Sequence, residues 1–102
     1  MSQMALDKVD NITKFVDICS NKTVEIFYLH ERSWKKEHND IILNEIIVNE
    51  INNKNLTIKY NDTKFLEVDY VDNIEFGYNT FTTALVITRA SHMLDMMLHL
   101  KR

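Results

Sequence analysis

The chain has 102 residues, 45% of them hydrophobic, and a net charge of −3; that is enough apolar material for one small folded domain and excludes a disordered tail. Residues 1–78 carry 14 acids against 9 Lys/Arg (−5), and residues 79–102 carry 1 against 3 (+2), so the main body lacks the basic face that duplex nucleic acid requires. Proline is absent, glycine and cysteine occur once each (Gly77, Cys19), so turns must rest on Asn and Asp and no internal disulfide can form.

A lone cysteine fits a reducing, cytoplasmic setting. The opening "MSQMALDKVD" holds acids where a signal peptide needs a cationic start, and no apolar run of about 18 residues reads as a membrane span. Richness in Asn, Ile and Lys points to an AT-rich coding sequence of bacterial or viral type.

The first element is an amphipathic helix over 2–19. Leu6, Val9, Ile12, Phe15, Val16 and Cys19 recur at three- and four-residue spacing, Ser2 is placed to cap the start, and "SNK" at 20–22 is the stop. From Thr23 the period changes. "TVEIFYL" is β-branched and aromatic and reads as a well-buried strand. "HERSWKKEHND" reads as a long polar hairpin loop. "IILNEIIVNEI" fits neither period; its Ile and Val favour a strand with a bulge, and a buried helix is the alternative. "NNKN" makes a turn.

"LTIKY" alternates, with Leu56, Ile58 and Tyr60 inward. In "KFLEVDY" Leu66, Val68 and Tyr70 face in, and Glu67 and Asp69 face out as solubilising charges. "IEF" is a last short strand with Ile74 and Phe76 inward, ended by Gly77.

Residues 5–76, through "VEIFYL", "NNKNLTIKY" and "LEVDYVDNIEF", resemble the YolD-like family of small bacterial proteins. The resemblance implies a small Sm/SH3-like barrel with no catalytic site, often encoded beside translesion DNA polymerases or on phages. The Arg-Gly loop with which Sm proteins hold RNA is absent.

Three groups could carry chemistry. His92, Asp95 and His99 would share one face of a helix, and two imidazoles with a carboxylate can form a zinc shell; an ordinary solvated stripe explains them better, so neither metal nor cofactor is expected. Trp34, between Arg32 and Lys35–Lys36, suits a protein contact or a stacked base. Cys19, on the apolar helix face, reads as a small hydrophobe rather than a nucleophile.

The closing "SHMLDMMLHLKR" reads as a helix apolar around most of its circumference, with Met93, Met96, Met97 and Leu100 as adaptable docking residues. "TRASHM" also resembles a translated run of cloning sites, so a non-native origin for the segment from about residue 88 stays open.

The expectation is an α+β fold: an N-terminal helix packed on a small antiparallel four- or five-stranded barrel-like sheet (1–78), then a C-terminal strand/helix extension (79–102). The expected function is non-enzymatic and regulatory, by protein partner docking or homodimerisation through the closing helix and the Trp34 loop. The alternative is a nucleic-acid-associated SH3/Sm-like barrel linked to DNA repair or phage biology, using Arg32, Trp34, Lys35 and Lys36.

Overall fold

The computed structural model describes residues 3–49 and 54–102. Ser2 as a cap, the inward placement of Leu6 and the turn at Asn52–Asn53 lie outside what is described. Among the described residues one helix, α1 (Gln3–Cys19), precedes eight strands: β1 (Thr23–His30), β2 (Ser33–Lys36), β3 (Ile41–Val48), β4 (Leu56–Tyr60), β5 (Lys64–Val68), β6 (Val71–Tyr78), β7 (Thr83–Arg89) and β8 (Met96–Leu100). All pairings are antiparallel, and the sheet order is β5-β4-β3-β1-β8-β7-β6. The expected sheet of four or five strands is therefore too small.

The helix forms for the reason its spacing suggests. Ile12, Phe15 and Cys19 are buried and Val16 packs against them, while Val9 reaches the margin and is exposed. The helix stops at Asn21, whose φ of 61° takes the left-handed position that ends a helix, and the Asn21 N–H is satisfied by the Leu43 carbonyl at 2.6 Å. The helix packs on β6, β3 and β7.

The closing segment is not a helix. Met96–Leu100 is β8, inserted between β1 and β7, with Ile26 opposite Leu98 on one side and Leu85 opposite it on the other. Met96, Leu98 and Leu100 are buried. The physical reason is alternation: these three residues point into the core, and a strand buries them between two neighbours where an isolated short helix would leave half its surface wet. Residues 79–102 thus supply two strands to the same sheet.

Three smaller differences follow from pairing. "SWKK" is strand β2, joined to β1 by a two-residue turn at Glu31–Arg32, so the excursion is a tight hairpin rather than a long loop. β6 runs past Phe76 through Gly77 to Tyr78. Tyr70 is exposed in the β5–β6 turn with φ 61°, not inward. The ambiguous "IILNEIIV" is a strand, as its Ile and Val favoured, and the expected irregularity is a register shift between Leu43 and Glu45.

β5 and β6 stand at opposite ends of the strand order yet are joined by Asp69–Tyr70 alone. The sheet must therefore curl until its two ends approach, because so short a link spans only about 10 Å. The Val71 N–H donates to the Lys54 carbonyl at 2.8 Å across that seam. The core fills the concave side, beneath α1.

Candidate functional site

The convex face of the sheet is built by the residues between the core positions. In an antiparallel pair, directly opposed side chains point to the same side. Val24, Ile26, Met96, Leu98, Leu85 and Ile87 point inward. Their neighbours therefore form rows on the other face. One row runs Glu75, Val86, Met97, Phe27, Lys36 across β6, β7, β8, β1 and β2. A second runs Gly77, Ala84, His99, Glu25. A third pairs Asn73 with Thr88 and Leu29 with Trp34, and the Leu29 N–H donates to the Asp95 carbonyl at 2.9 Å between them.

The middle of this face is apolar: Val86, Met97, Phe27 and Leu29 are half-buried by each other, and Trp34 is 38% exposed at its rim. A shallow groove of mixed character, with Leu29, Met93 and Leu94 among Glu31, Arg89 and Asp95, adjoins it past the end of β7. Charge sits at the margins. Lys36 Nζ lies 3.2 Å from Glu25 Oε2 and also bonds Asp40, which Lys101 meets from the other side at 2.5 Å. These hydrogen bonds from Lys101 and then Lys36 hold the Asp40 carboxyl below its ordinary value, and the bond to Asp40 foremost raises Lys36. His99 Nδ1 is shut off from water and 3.8 Å from Glu25 Oε1, beyond hydrogen-bond reach; the imidazole stands edge-on to Phe27, centroids 6.4 Å apart.

The residues singled out from sequence divide accordingly. Trp34, Lys36 and Met97 come together on this face, and Met93 borders it. Arg32 lies in the β1–β2 turn, and Lys35 pairs with Tyr28, whose side chain points to the opposite side. Met96 and Leu100 are core and closed to a partner. His92 packs against the Tyr70 ring (4.8 Å between centroids), Asp95 accepts the Arg89 backbone N–H at 2.9 Å, and His99 is in β8. Their three- and seven-residue spacing aligned them only on a helix. Among the described residues no group of three His, Cys, Asp or Glu side chains is gathered for a metal ion.

Cys19 is fully buried, and that burial raises its thiol above its ordinary value, partly offset by Lys22 and Arg102. Glu67 accepts the Thr57 hydroxyl at 2.9 Å across β4–β5. Sequence reading missed Phe27, Leu29 and Val86. Their signal was present: strands apolar at both parities, which marks a sheet with two apolar faces.

No family model, curated protein or solved structure matches the chain. Among the described residues no helix is long and apolar enough to cross a membrane.

Proposed function

We propose that the chain is a non-enzymatic docking module that binds a partner protein on the convex face of its sheet. The observation that carries this is the apolar patch of Phe27, Leu29, Trp34, Val86 and Met97 on the side of the sheet turned away from the core. A clustered apolar patch with a polar rim is the usual form of a protein interaction site, and Trp and Met are favoured there.

The rim selects the partner's chemistry. Glu75, Glu25 and Asp95 flank the patch, and the lysines at its margin are already engaged, Lys36 by Glu25 and Asp40 and Lys101 by Asp40. An apolar ridge bordered by Lys or Arg complements this surface, and a polyanion does not.

The test is affinity capture from the native host with the wild type, Trp34→Ala and Phe27→Glu, all confirmed folded by circular dichroism. A protein retained by the wild type and released by both variants is the expected result. Retention unchanged in both would overturn the reading. So would single-stranded DNA binding at low salt that fades steeply as salt rises and is lost in Trp34→Ala.

A further inference from the structure

Gly77, the chain's sole glycine, is the penultimate residue of β6, inside the β6–β7 ladder where it pairs with Ala84, and nothing among the described residues calls for it there. Its φ is not positive, and an added Cβ would meet only the Ala84 carbonyl oxygen at 4.0 Å, an ordinary contact. Glycine in a strand interior costs about 0.5–1 kcal/mol relative to alanine. It commonly marks a place where another backbone approaches closely.

The strand that holds it is the end of the sheet. Alternate residues of β6 turn their N–H and C=O away from β7. Ile74 is one of these, and its carbonyl accepts Asn11 Nδ2 at 2.8 Å; Asn79 has the other parity, and its N–H donates to the Thr82 carbonyl at 2.9 Å. Phe76 and Tyr78 share the parity of Ile74. Their outward backbone groups meet no partner among the described residues. Asn11 of the helix thus satisfies this edge at Ile74, and among the described residues nothing pairs with it from Glu75 to Asn79. Exposed strand edges recruit other strands. The opening is flanked by Tyr78, 66% exposed, and Phe81, 81% exposed at the hairpin tip.

We infer that two copies of the chain pair edge to edge through β6, antiparallel, about a two-fold axis at Gly77. The segment is its own complement. Phe76 falls opposite Tyr78 of the second copy and Tyr78 opposite Phe76, each pair exchanging both backbone hydrogen bonds. The Phe76–Tyr78 stack, 6.1 Å between centroids and 15° between planes, continues across the axis. Gly77 meets Gly77 at the close, non-bonded position, where Cα atoms stand about 4.5 Å apart. Glu75, the one charge on the segment, faces Asn79, so like charges do not meet. The pairing stops at Asn79, where the hairpin loop leaves the sheet, just short of the Asn11–Ile74 bond. This edge is distinct from the convex face, and the inference does not rest on the docking reading.

The test uses the full chain. Sedimentation equilibrium should show a dimer, and Gly77→Lys should weaken it by roughly 100-fold or more, because two ammonium groups would then meet at the axis. The melting temperature of the Gly77→Lys monomer should hold or rise, since the site has room for a side chain. Tyr78→Pro, which removes an outward N–H together with one ring of the Phe76–Tyr78 stack, should weaken pairing likewise. Under mild oxidation Gly77→Cys should give a disulfide-linked dimer, the Cα spacing being within disulfide range, while Phe65→Cys on the exposed strand β5 should not. A wild type that stays monomeric at about 100 μM would overturn the inference. A dimer indifferent to Gly77→Lys, or one in which the thiol at position 77 fails to cross-link, would also overturn it.

Discussion

Leu98 of β8 lies directly opposite Ile26 of β1, and both are shut off from water. The last strand is therefore an interior wall of the sheet, held from both sides. Leu98→Ala removes methyl groups from a site that cannot collapse, because β1 and β7 fix it. The expected loss is about 3 kcal/mol, read as a fall of roughly 12–24 °C in melting temperature. A chain ending at Arg89 loses the whole strand and should give no cooperative thermal transition; a sharp melt from that fragment would contradict the arrangement.

Asp95 holds the entry to that strand. Its carboxylate accepts the Arg89 backbone N–H at 2.9 Å, and the Arg89 guanidinium reaches back to the carbonyls of Asp69 (2.9 Å) and Leu94 (3.4 Å). The six-residue connection between β7 and β8 is thus closed by side chains. Asp95→Ala should cost about 1.5–3 kcal/mol, since the acceptor is charged and the orphaned N–H is partly buried. Asp95→Asn keeps an acceptor and should cost less in the same urea titration. Equal losses would mean that the charge alone matters.

The β1–β2 turn carries a strained residue. Glu31 occupies the first central position of a two-residue hairpin with φ 58°. That position favours glycine, and a side chain in the left-handed region costs about 1–2 kcal/mol. Glycine's greater freedom in the unfolded chain takes back part of the gain. Glu31→Gly should therefore raise stability by about 0.5–1 kcal/mol in chemical denaturation. A loss would show that the Glu31 side chain makes a compensating contact.

The helix, β1, β3, β4 and β5 were legible in the sequence because each obeys one period or is dominated by β-branched residues. β8 was not, and the cause is the candidate site itself. A strand with one wet face reads polar at alternate positions, but Met97 and its neighbours Phe27 and Val86 are apolar on the convex side. That second apolar face erased the alternation and left "MLDMMLHL", whose Met and Leu are good helix formers, to read as a helix. β2 was hidden for the opposite reason. "SWKK" has no buried residue, and only its pairing with β1 makes it a strand. The open edge at Gly77 was visible as a lone glycine, but its meaning needed the sheet order.

Asp40 predicts the pH response of the surface ion network. Its carboxyl is held below the ordinary 3.8 by hydrogen bonds from Lys101 and Lys36, and Lys36 is raised above 10.5 chiefly by the bond to Asp40. A group with a lowered folded-state value contributes stability that is whole above 3.8 and is lost as pH falls through the lowered value. Lys36 contributes stability that is whole below 10.5 and is lost as pH rises through the raised value. The wild type should therefore melt above Asp40→Asn by a constant margin between about pH 5 and 9, and that margin should narrow at both extremes. High salt should shrink it as well, because both groups face solvent. A margin that grew below pH 3.8 would show that Asp40 is unfavourable in the folded chain and that Lys36 draws its stabilisation from Glu25 instead.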